Sequence, residues 1–118
     1  MDIDFVREYL KKYRFLITRI SRLKSMVKLC PEKKREYLSE AKRCAGERDE
    51  IEAVINSADG GLLSEILALK YMCGRTIDDI SAEICYSRRQ TERLHIKALC
   101  ALLKNKKIAS LQTGQKIL

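Results

Sequence analysis

The sequence predicts an all-α protein, built as an N-terminal antiparallel helical hairpin over residues 1 to 59 followed by a helix-turn-helix module over residues 60 to 104. Three observations carry the prediction. Apolar residues recur three and four positions apart from Val6 onward. Two later segments open on helix-capping signatures, at Thr76 and at Ser87. No segment alternates apolar and polar residues in the manner of a half-buried strand.

The first helix can start at Asp2 or Asp4, after which Val6, Tyr9, Tyr13, Leu16, Ile20, Leu23 and Val27 form a seam close to that of a coiled coil. Pro31 ends the run or sits in the first turn of the next helix, with Leu29 and Cys30 as connector. So short a link favours an antiparallel neighbour. The second helix spans about residues 32 to 57, with Tyr37, Ala41, Cys44, Ile51, Val54 and Ile55 on its apolar side. Gly46 and Arg48 interrupt this seam, and its alanines bury little area at about 25 cal/mol per Å². The hairpin therefore calls for completion, either by docking on the C-terminal module or by a second copy, as a homodimer through the hairpin.

Ser57, Ala58, Asp59, Gly60 and Gly61 read as a flexible break that lets the following module move. Leu62, Leu63, Ile66, Leu67, Leu69 and Met72 make a short apolar helix ended by Gly74. Thr76 can cap a helix from Ile77, where Asp78 and Asp79 place negative charge in the first turn. Ile77, Ile80 and Ile84 give this helix one apolar face and leave Asp79, Ser81 and Glu83 for solvent. Ser87 and Gln90 have capping-box spacing and start the next helix. Only Cys85 and Tyr86 lie between, too few for an antiparallel reversal, so the two helices must cross steeply. On the last helix Thr91, Leu94, Ala98, Ala101 and Leu102 share one side and Arg89, Arg93 and Ile96 the other, flanked by Arg88 and Glu92. Leu99, Cys100 and Leu103 add apolar surface that the hairpin or a partner should cover. Residues 105 to 118 mix Lys, Gln, Ser, Thr and Gly and read as a flexible basic tail.

In a helix-turn-helix the first turns of the second helix enter the major groove, where Arg pairs with guanine and Gln with adenine. Arg88, Arg89, Gln90 and Arg93 have that chemistry. The free N–H groups near Ser87 favour a phosphate, and Glu92 can accept from a cytosine amino group. Thr76 and Lys97 complete the candidate contacts to double-stranded DNA. Charge agrees: the net value is +8, and residues 86 to 107 hold seven basic side chains against one acidic. Residues 1 to 31 form a second basic pole, with eight against three.

Other classes find less support. Five cysteines, at 30, 44, 73, 85 and 100, form no C-x-x-C pair, and with the single His95 they make a poor metal-ligand set. They read as buried thiols of a reducing compartment, with no metal or cofactor expected. His95 reads as a satisfied or solvated imidazole. No stretch is apolar enough for a bilayer, and the charged first 30 residues do not resemble a signal peptide, so a cytoplasmic location with no membrane partner is expected. The chain offers no Gly-rich phosphate loop and no Ser/His/acid set, so catalysis is not expected.

Leu69, Tyr71, Gly74, Thr76, Ile80, Ser81, Ile84, Ser87, Thr91, Arg93, Ala98, Leu99 and Leu102 fall in step with a known pattern. Residues 62 to 104 thereby resemble the region 4 helix-turn-helix of bacterial sigma factors. The run YSRRQTERLH, from Tyr86 to His95, is similar to the endings of phage-encoded, region-4-like regulators of the ArpU/RinA kind. The resemblance implies sequence-specific duplex DNA binding in transcription control. It also admits an adaptor that docks on RNA polymerase and touches DNA weakly, or a small phage DNA-packaging subunit. Three positions depart from the pattern: Cys85 where the family has Gly at the turn, Thr91 for Val, and Ser81 for Ala. A left-handed backbone at Cys85 would cost roughly 1 kcal/mol.

Overall fold

Asp2 starts the first helix by accepting a hydrogen bond from the Asp4 backbone N–H at 2.9 Å, and α1 then runs Ile3–Leu29. The computed structural model describes residues 2 to 117, with side chains as far as residue 111. All elements among these residues are helical, and no strand occurs. Pro31–Lys33 form a single 3-10 turn, and α2 follows as Lys34–Asn56. The residues that meet across the pair run in opposite order along the two helices: Tyr9 and Ile51 line one cleft, Arg19 meets Glu40 at 3.3 Å, and Leu23 and Tyr37 line another cleft. The α1 seam is buried as spaced, with Leu10 added to it and Val27 only half-buried at the far end.

The chain then turns through residues 57 to 61 without coming loose. Ala58 is buried, the Ser57 hydroxyl donates to the Val54 carbonyl at 2.6 Å, and Ser64 donates to the Ile55 carbonyl at 2.9 Å. The expected flexible break is therefore a packed corner. Helix α3, Leu62–Leu67, continues into a π-helical turn, Ala68–Met72. The wider turn lets the segment serve two neighbours: Leu63, Leu67 and Tyr71 join the main core, while Ile66 and Leu69 pack on Ile80. Gly74, with φ +73, ends it. Helices α4, Ile77–Ile84, and α5, Arg88–Leu102, complete the segment singled out from the sequence.

One core joins α1, α2, α3 and α5, while α4 rests on the smaller group around Ile80. Val6, Leu10 and Tyr13 of α1, Ile51 and Ile55 of α2, Leu67 of α3 and Leu99 and Leu102 of α5 belong to a single buried cluster. The α1–α2 pair docks on the C-terminal module, one of the two ways expected to complete it. The cluster also contains Ile108, so the first part of the expected flexible tail, residues 105 to 111, is packed instead. Asn105 accepts from the Lys107 N–H at 2.8 Å and starts α6, Lys106–Ile117, while its amide donates to the Ser57 hydroxyl at 2.8 Å. Ile108 is fully buried and Leu111 packs against the same cluster. The last residue of that tail, Leu118, lies outside the described residues.

Three further expectations are corrected. Ser81 is buried rather than solvated, because its hydroxyl is satisfied by donating to the Ile77 carbonyl at 2.8 Å. Ala101 is exposed, since His95 and Leu99 fill the inward side of α5 that it was to share. Of the five cysteines only Cys44 is buried; Cys30 is half-buried and Cys73, Cys85 and Cys100 are exposed. No described helix is long and apolar enough to cross a membrane.

Candidate nucleic-acid interface

The candidate surface is made by α4, the turn after it and the outer face of α5. Thr76 caps α4, its hydroxyl accepting from the Asp79 N–H at 3.1 Å. The helix ends at Cys85, which is left-handed at φ 62 and ψ 37, the one described non-glycine residue with positive φ. That conformation redirects the chain within one residue. The Tyr86 N–H reaches back to the Ser81 carbonyl at 3.1 Å, and Ser87 is extended and begins α5. The departure noted at Cys85 is thus a real cost, met by a residue that tolerates the left-handed region less well than glycine.

Ser87 and Gln90 form the capping box their spacing predicts. The Gln90 N–H donates to Ser87 Oγ at 3.1 Å, and the Ser87 N–H donates to Gln90 Oε1 at 3.2 Å. Both side chains are therefore engaged in holding the helix start, and Ser87 Oγ also lies 3.1 Å from Gln90 Oε1. Thr91, whose hydroxyl faces the core, is satisfied by donating to the Ser87 carbonyl at 2.9 Å. The substitution of a hydroxyl for a methyl at this position leaves no polar group stranded.

Arg88 is exposed and pairs with two carboxylates. Its Nη1 donates to Asp78 Oδ1 at 3.1 Å and Oδ2 at 3.3 Å, and its Nε donates to Glu92 Oε1 at 3.2 Å. These carboxylates hold the guanidinium more firmly protonated, the Glu92 hydrogen bond foremost. Arg88 ties the first turn of α4 to the first turn of α5, and Glu92 is the carboxylate it neutralises. The sequence offered Arg88 as a guanine reader and Glu92 as an acceptor from a cytosine amino group. The spacing of Asp78 and Arg88, ten residues apart and across a turn, holds no local signal of their pairing.

What remains on the open face is Arg89, Arg93, Ile96 and Lys97, all exposed. Arg89, Glu92, Arg93 and Ile96 line one shallow depression. Thr76 is not part of it; its hydroxyl caps α4. Among the described residues no three His, Cys, Asp or Glu side chains converge as metal ligands would.

Behind this face, α5 is fixed by a contact that sequence reasoning missed. His95 is buried, and its Nε2 lies 2.7 Å from the Tyr71 hydroxyl, the rings tilted at 35°. Burial, with smaller repulsion from Lys70 and Arg7, pushes the imidazole down to about 4, so it is neutral at pH 7. Burial also pushes the Tyr71 phenol up, which keeps its proton on. The pair bolts α5 to the π-helical turn. A signal existed in the helical spacing, since His95 lies four residues from Thr91 and from Leu99 on the inward side.

No family model, curated protein or solved structure matches the chain.

Proposed function

We propose that the protein is a sequence-specific, duplex DNA-binding transcription regulator of the sigma region 4-like, phage-derived kind, which reads the major groove with α5. The observation that carries this reading is the pairing of a fixed helix start with a free cationic face. Ser87, Gln90 and Arg88 are spent on setting where α5 begins and how it meets α4. Arg89, Arg93 and Lys97 stand exposed beside them. Arginines on the first turns of such a helix have the reach and donor geometry for guanine, and a lysine one turn later suits a phosphate. Helix α1 and α2 then act as the buttress for α5, through Leu99 and Leu102 in the shared core.

The test is selection of random duplexes by the purified protein, followed by binding of the winners at two salt concentrations with wild type and an Arg89→Ala/Arg93→Ala variant. An enriched motif is expected. Loss of Arg89 alone should cost about 1 to 3 kcal/mol at that motif and relax discrimination at one position. Binding that depends on salt but selects no motif would reject sequence reading.

A second reading, an RNA polymerase-binding adaptor, draws on a different surface. Phe15 and Leu29 of α1 are 64% and 74% exposed, and Leu38 of α2 is exposed as well. An adaptor of that kind would survive loss of Arg89 and Arg93 and fail on Phe15→Ser or Leu29→Ser.

A further inference from the structure

The open face of α5 carries one large apolar side chain among its charges. Ile96 is 40% exposed and shares its depression with Arg89, Glu92 and Arg93. A single exposed isoleucine is ordinary on a protein surface, but the placement of this one is not general. At 100° per residue, positions 89, 93, 96 and 100 fall on one line along the helix. Whatever surface Arg89 and Arg93 touch together, Ile96 touches next. Packing within the chain does not account for it, because the inward side of α5 is filled by Thr91, His95, Ala98, Leu99 and Leu102.

The neighbours of Ile96 say what kind of surface that is. A docking site for an apolar protein segment would surround the isoleucine with further apolar groups. Here it stands among Arg89, Arg93 and Lys97, with the carboxylate of Glu92 tied to Arg88 and only the small thiol of Cys100 exposed one turn further on. The complement is a polyanion that offers one apolar spot within its row of hydrogen-bonding groups. Duplex DNA does this in the major groove, where thymine presents a C5 methyl group. Isoleucine is suited to the contact, since β-branching holds it near one rotamer on a helix and little side-chain freedom is lost on binding.

Resting on the reading of α5 as the groove-entering helix, we infer that Ile96 is a specificity-determining residue that recognises the thymine methyl beside the base pairs contacted by Arg89 and Arg93. The protein then requires a thymine at one fixed position of its site, and the requirement is for the methyl group itself.

The experiment takes the duplex obtained by selection and replaces each thymine in turn by deoxyuridine, which removes the methyl and leaves every hydrogen-bonding group in place. Affinities are measured for the full-length wild type and for Ile96→Ala, with circular dichroism to check that the exposed substitution leaves the fold intact. One position is expected at which deoxyuridine weakens the wild type by about 3- to 5-fold, the worth of one buried methyl. Ile96→Ala should bind the thymine and deoxyuridine duplexes equally there. The inference is overturned if no thymine shows a methyl effect, or if Ile96→Ala keeps the effect; duplex binding itself would then stand. Failure of the wild type to select any duplex would instead remove the functional reading, and the inference with it.

Discussion

At the scale of single residues, the most consequential side chain lies behind the candidate interface, not on it. His95 is the only histidine in the chain, so its titration is isolated. Folded, it is held to about 4, chiefly by burial and then by the cations Lys70 and Arg7; unfolded, it returns to about 6.5. The unfolded chain thus binds a proton that the folded chain refuses between those values, and stability must fall as pH falls. The contribution is complete above about pH 6.5, declines below it and is lost at about pH 4, amounting to about 3 kcal/mol. Urea unfolding of wild type and His95→Gln across pH 7.5 to 4 checks this, as the difference between the two curves removes the carboxylates common to both. A variant with the same slope as wild type would show that His95 is not the group responsible. The imidazole was not legible as a buried partner of Tyr71. Its burial depends on Tyr71 arriving from a helix 24 residues away, after a π-helical turn that no local pattern announces.

Among the elements, the boundaries set by short-range chemistry were legible and those set by packing were not. Asp2, Thr76 and Ser87 each cap a helix because a side-chain oxygen meets an N–H two or three residues on, a relation contained in a few letters of sequence. Ser81 and Ala101 were misplaced because their exposure is decided by neighbouring helices. In the turn between α4 and α5 the two-residue link announced only a steep crossing; a left-handed residue at Cys85 was expected from the region 4 resemblance alone, and Cys85 adopts it. Its side chain is exposed and makes only a 4.0 Å approach to the Ala82 carbonyl, so the conformation itself is what matters. Cys85→Gly should therefore stabilise the protein by about 0.5 to 1 kcal/mol, less than the full left-handed cost because glycine frees the unfolded chain. Cys85→Val, β-branched at the same φ, should destabilise by more than 1 kcal/mol, roughly. Denaturation midpoints of the two variants rank the effect, and a glycine variant weaker than wild type would mean that the thiol contributes in its own right.

For the whole molecule, the division into hairpin, reading module and tail was drawn from composition, and composition does not show which apolar faces meet. Gly60 and Gly61 beside Asp59 look like a hinge, and Lys106 and Lys107 look like the start of a solvated tail. Yet the tail returns across that hinge: Asn105 holds Ser57, Lys107 meets Glu50 of α2 at 3.4 Å, and Ile108 enters the cluster shared by α1, α2, α3 and α5. The exposed ion pair adds little; the buried isoleucine is the fastening. If the core is continuous, a cavity made at Ile108 must weaken every element, not the tail alone. Ile108→Ala should cost about 2 to 4 kcal/mol and leave a single transition in denaturant, reported alike by helical signal and by the fluorescence of the five tyrosines. A transition that splits in two, with helical signal and tyrosine fluorescence no longer coincident, would show that the two halves fold on separate cores and that α5 is not buttressed by the N-terminal pair.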